Sequence, residues 1–157
     1  MIYRFLFLIL FYIQLQAQVF SDYSFSTAET SAMAGAAVAS KGTTSSLFNN
    51  PASLVELNYK SVSFGYSNLY NQSYLPLTTI GLSIPYKKNI SVGVKYTSLK
   101  VDYRGNQLSN EQAYGIIVSK YLLNDKNSTL SIGISLNNYS VEFGRSAGSM
   151  GNGSDGI

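Results

Sequence analysis

Apolar and polar residues alternate with a period of two along most of this chain, and two of the alternating runs nearly repeat each other forty positions apart. Residues 90–103 read Ile-Ser-Val-Gly-Val-Lys-Tyr-Thr-Ser-Leu-Lys-Val-Asp-Tyr, and residues 130–143 read Leu-Ser-Ile-Gly-Ile-Ser-Leu-Asn-Asn-Tyr-Ser-Val-Glu-Phe. A period of two is the signature of a strand with one apolar and one polar face. In both runs the apolar set sits on even positions through Tyr96 and Leu136, then on odd positions from Leu99 and Tyr139. A single extra residue near Thr97-Ser98 and near Asn137-Asn138 would restore the facing, so a β-bulge is expected at each place.

Three more strands follow from the same pattern, over 59–67, 77–86 and 112–123; within the last, Ile117 and Lys120 break the alternation. The turns at 87–89 and 124–128 are short, whereas 68–76, 104–111 and the Gly/Ser-rich stretch from 144 onward read as longer loops on the opposite side. Outer-membrane barrels show this asymmetry of short and long connections. One face of each strand carries Ile, Leu, Val, Phe and Tyr, and the other Ser, Gly and Thr with a few Lys and Asn. Branched apolar residues suit lipid, and small polar ones suit a crowded or watered interior. The expected fold is therefore all-β, an antiparallel transmembrane β-barrel, incomplete here at about five strands. Each strand is read as long enough for the roughly 9–11 residues a tilted crossing needs. Lys120 on the lipid face would cost about 2–4 kcal/mol at the midplane, which places it near an interface or turns it inward. Tyr59, Tyr86, Tyr96 and Tyr114 are candidates for aromatic girdles.

The N-terminus reads differently. Arg4 precedes an unbroken apolar run from Phe5 to Ile13, and Gln14-Leu-Gln-Ala17 follows. Residues 1–17 have the order of a secretory signal peptide, with cleavage between Ala17 and Gln18. A transmembrane anchor is the alternative, disfavoured because the apolar run falls short of the roughly 20 residues a helix needs to span. Residues 18–58 form a hatch-like segment, helical or irregular, ahead of the strands in 59–157. Within it, Ser31 to Ser40 is a run of small residues. In Leu47-Phe-Asn-Asn-Pro-Ala-Ser-Leu-Val-Glu-Leu57, Asn50 suits a helix cap, Pro51 the first helical position, and Leu54, Val55 and Leu57 apolar contacts.

Composition narrows the function classes. Charged residues make up 12% of the chain, with 13 Tyr and 8 Phe, against about 25% charge in typical soluble domains. The chain has no Cys and no His. That removes disulfides, Ser-His and Cys-His nucleophiles and the usual Zn and haem ligands. A net charge of +3, lower by one once Arg4 leaves, is too small and too scattered to argue for nucleic acid.

The segment Ser31-Ala-Met-Ala-Gly-Ala-Ala-Val-Ala39, followed by Leu47-Phe-Asn-Asn-Pro-Ala-Ser-Leu54, resembles the opening of the PorV/PorQ proteins in the FadL-like barrel superfamily. Asn110-Glu-Gln-Ala-Tyr-Gly115 and Ser146-Ala-Gly-Ser-Met-Gly151 look like that family's strand-four opening and glycine-rich approach to the next strand. The motif residues are Ala32, Met33, Gly35, Ala36, Asn50, Pro51 and Ala52. Ala34 departs from the pattern, standing where the family usually has the first glycine of its pair. The family's acidic residue between the two motifs is replaced by Lys41-Gly-Thr-Thr.

What the resemblance implies is a barrel of about fourteen strands in the bacterial outer membrane, of which this chain is an N-terminal portion, with no catalytic site and no cofactor. Two functions compete: accessory of type IX protein secretion and cargo surface attachment, or passage of hydrophobic small molecules with Asn50-Pro51-Ala52 as an internal hatch. The partners implied are outer-membrane lipid, secretion-system proteins or cargo, or hydrophobic small molecules. A soluble secreted β-sandwich adhesin is the reading from another class. Asp102 and Glu142, at matching repeat positions, read as solvated strand ends or as one side of a cation site; the open edges of the first and fifth strands would invite aggregation.

Overall fold

The computed structural model of the protein describes residues 27–144; the signal-peptide reading, its Ala17/Gln18 cleavage point and the 146–151 motif lie outside them. Five strands, β1 (Ser61–Asn68), β2 (Pro76–Lys87), β3 (Ile90–Tyr103), β4 (Asn106–Asn124) and β5 (Thr129–Phe143), form one antiparallel sheet in the order β1-β2-β3-β4-β5. The sheet is not closed. In this meander β1 and β5 run in the same direction, so they cannot pair with each other antiparallel; a closed antiparallel barrel requires an odd number of further strands.

The strands lie where the alternation puts them, and β3 matches 90–103 at both ends. Four expectations need correction. No bulge occurs at Thr97-Ser98 or Asn137-Asn138, where the register runs unbroken through Tyr96↔Tyr114 and Asn138↔Tyr114. The shifts lie instead at Pro85/Lys87, Val101/Asp102 and Tyr121/Leu123, one beside each hairpin turn. Residues 104–111 are also not a loop. Arg104 and Gly105, with φ of 51° and 79°, make a two-residue turn, and β4 starts at Asn106. Left-handed φ at both turn positions matches the right-handed twist of the flanking strands. The polar run after the turn then continues the hairpin, in which neither face has to be apolar. β1 has 8 residues, one short of the range a tilted membrane crossing needs. The last correction is that only the 69–75 connection, with its short 3-10 turn Leu69–Asn71, is a long loop between described strands.

Ahead of the sheet come α1 (Ala28–Ala32), α2 (Ser46–Asn49) and a 3-10 helix, Pro51–Glu56. Thr27 caps α1 with a capping box: its side chain accepts from the Thr30 amide while the Thr30 hydroxyl oxygen accepts from the Thr27 amide. The other end closes in a Schellman motif, with the Gly35 amide donating to the Thr30 carbonyl at 2.8 Å and the Ala34 amide to that of Ser31 at 3.1 Å. The core is small and sits between this segment and the sheet: Leu47, Leu54 and Leu57 meet Ile117, with Phe48 packed beside them.

Candidate functional site

The two faces of the sheet differ in kind. Register places Val62, Leu82, Val94, Ile116 and Leu136 side by side across all five strands. The neighbouring row runs Ile84, Val92, Val118 and Ile134. These residues point away from the core, and most are open: Val62 is 75% exposed, Ile134 63% and Leu136 72%. A contiguous exposed apolar patch of this kind marks a surface that meets another molecule or a membrane.

This apolar band has edges. On one side lies the row Phe64, Ile80, Tyr96, Tyr114 and Asn138, in which the rings of Tyr96 and Tyr114 stand 4.9 Å apart. Past it the outward positions turn polar, with Ser98, Gln112 and Ser140 and then Lys100, Asn110 and Glu142, while Leu77 and Leu99 are buried on the other face. The phase change in the sequence is therefore a change in what each face meets along an unbroken strand. At the tight-turn side the band ends in the row Lys87, Ile90, Lys120 and Ile132, near the exposed Tyr59 and Tyr86. Lys120 thus points outward, at the edge of the band.

The opposite face carries small residues because the segment before β1 lies against it. Leu47 fits over Gly81 and Gly93, where added Cβ atoms would collide with its methyl groups, and Gly93 also lies under Leu54. Gly133 lies directly beneath the Pro51-Ala52 backbone, which leaves no room for a side chain. Ser83, Ser91 and Ser119 are buried nearby. Ile117 is a large residue on this face beneath the N-terminal segment and is 0% exposed, filling the space between Leu47, Leu54 and Leu57. Its break in the alternation is the imprint of this packing. Farther from the plug, Lys95 and Asn137 fold over Gly115.

Asn50 joins the two sequence motifs. Its Oδ1 accepts from the Ala52 amide at 3.1 Å, capping the 3-10 helix with Pro51 in its first turn. Its Nδ2 donates to the Val38 carbonyl at 2.9 Å, so one side chain ties the small-residue run to the Asn-Pro-Ala turn. Of the small-residue motif, Ala32 ends α1, Met33 is its C-cap, and Gly35 and Ala36 follow in the turn. Ala34 and Gly35 both take left-handed φ, 50° and 86°, a backbone that favours glycine. Asn50, Pro51 and the turn after α1 thus have structural roles within the N-terminal segment. Lys41 lies 3.7 Å from Glu56 and donates to Thr129 Oγ1, fastening the N-terminal segment to the start of β5.

Asp102 pairs with Lys100 at 2.9 Å. Among the described residues, no group of three or more acidic side chains is arranged to hold a metal ion. A groove of about 450 Å³ opens between Val94, Tyr114, Ile116 and Leu136 on the outward side, with Lys95, Asn137 and Asn138 also in its lining. Sequence reasoning missed the Gly81/Gly93/Gly133 cradle; its signal was glycine recurring at polar-face positions of successive strands. The chain matches no family model, no characterised protein and no solved structure in the comparisons made.

Proposed function

We propose that the chain forms part of the wall and the internal plug of a bacterial outer-membrane β-barrel. The observation that carries this is the pairing of an uncovered apolar face with a small-residue face filled by the chain's own N-terminal segment. Lipid is the solvent in which such a face is stable, and closure by further strands satisfies the free edges of β1 and β5. The tyrosines at the two borders of the band suit the headgroup regions. A secreted sandwich would cover the apolar face with a second sheet, and among the described residues nothing lies on it.

Within that class, the order of the small-residue run and the Asn-Pro-Ala turn, joined by Asn50, favours a PorV/PorQ-type protein. Its role is then accessory to type IX secretion and cargo surface attachment, without catalysis. Transport of hydrophobic small molecules is the competing role. Cells expressing the complete gene should hold the protein in the outer-membrane fraction with heat-modifiable gel migration. A soluble, heat-insensitive product would sink the barrel reading. Loss of surface-attached cargo on deletion, with fatty-acid uptake unchanged, would favour secretion; the reverse would favour transport.

A further inference from the structure

The two rims of the sheet are not electrically equivalent. The tight-turn rim carries Lys60, Lys87, Lys88, Lys120 and Lys126, all exposed, against Asp125 and against Glu56, which Lys41 pairs with beside the start of β5. Among the described residues none of these lysines is within ion-pair distance of a carboxylate, unlike Lys41 beside Glu56 and Lys100 beside Asp102. At the other rim Lys100 is taken up by Asp102, Arg104 lies 5.2 Å from the Tyr103 ring, and Glu142 is nearby in sequence register with Asn110.

Position matters as much as sign. Lys87, Ile90, Lys120 and Ile132 occupy one row across four strands, so cations and branched apolar residues alternate along the border of the apolar band. The Lys87 ammonium sits 5.4 Å from the Tyr86 ring. A side chain with an apolar stem and a charged tip is suited to a border where hydrocarbon gives way to headgroups. Lysines that merely kept a rim soluble would have no reason to interleave with isoleucine.

We propose that this rim is a binding surface for the phosphates of anionic glycerophospholipids. The inference rests on the barrel-wall reading and adds to it a lipid chemistry. Juxtaposed lysines gain from an anionic surface within a Debye length, and that gain falls as salt rises.

The test is partition of the native chain expressed from the complete gene, diluted from urea, into phosphatidylcholine vesicles with and without one-third phosphatidylglycerol, at low and high salt. The expected result is about tenfold stronger partition into the anionic vesicles at low salt, lost at high salt. The quadruple variant Lys87→Gln, Lys88→Gln, Lys120→Gln, Lys126→Gln should lose that preference while still entering neutral vesicles. Lys100→Gln with Arg104→Gln should keep it. Equal partition of the native chain into both vesicles, or loss of the preference in the Lys100/Arg104 variant alone, would overturn the headgroup assignment and leave the barrel wall standing. Failure of the native chain to enter either vesicle would overturn the barrel wall itself. Should the quadruple variant fail to enter neutral vesicles, the salt dependence of the native chain decides.

Discussion

The outward and inward faces of this sheet are built from alternate residues of the same strands, yet they follow different rules. Outward positions are chosen for apolar bulk and tolerate exposure: Val62, Ile116 and Leu136 touch little of the protein. Inward positions are chosen for size, and polarity hardly matters, since Gly81, Gly93 and Gly133 are there to let Leu47, Leu54 and the Pro51-Ala52 backbone approach. The faces thus differ in their neighbours: among the described residues nothing covers the outward one, while a shaped segment of chain lies on the inward one. Close packing makes the inward face sensitive to every added or removed methyl group, while the outward face should be sensitive to charge and indifferent to shape.

That contrast can be broken most directly at Leu54, fully buried in the plug core. Leu54→Ala should cost about 2–5 kcal/mol, read as a lower urea midpoint and as new protease cleavage between residues 41 and 57. Next comes the outward face. Ile116→Arg should cost about 2–4 kcal/mol in phosphatidylcholine vesicles; a loss within about 0.5 kcal/mol would mean that Ile116 faces water. Ile116→Leu at the same place should be nearly silent by either measure. Smaller still, Gly133→Ala should cost about 1–3 kcal/mol by forcing Pro51 and Ala52 off the sheet, with a matching rise in cleavage of the plug. One effect is favourable: Ala34→Gly should stabilise by about 1 kcal/mol, because the Schellman turn holds position 34 at a left-handed φ. A neutral or destabilising result in a urea titration would show that the turn relaxes around Ala34.

Much of this was legible along the chain because strand alternation and helix capping are local. The Tyr103 end of β3, the Asn50 cap, Pro51 at the start of its helix and the contacts of Leu54, Val55 and Leu57 all follow from neighbours a few residues apart. The same alternation misled at Leu99 and Tyr139. A switch of apolar phase has two physical causes, an inserted residue or a change of surroundings on both faces, and they write the same pattern. Arg104-Gly105 was hidden for a related reason: polar residues in a hairpin beyond the apolar band carry no period to separate them from a loop.

The five strands, the apolar positions on each and the capped Asn-Pro-Ala turn ahead of them can be read along the chain, since each depends on periodicity or on hydrogen bonds within a few residues. That the glycines form a seat for Leu47 and Pro51, that Ile117 completes a core and that Asn50 reaches Val38 emerges in the folded molecule alone. Those facts depend on which segment lies against the sheet, a meeting of residues tens of positions apart that no local period encodes.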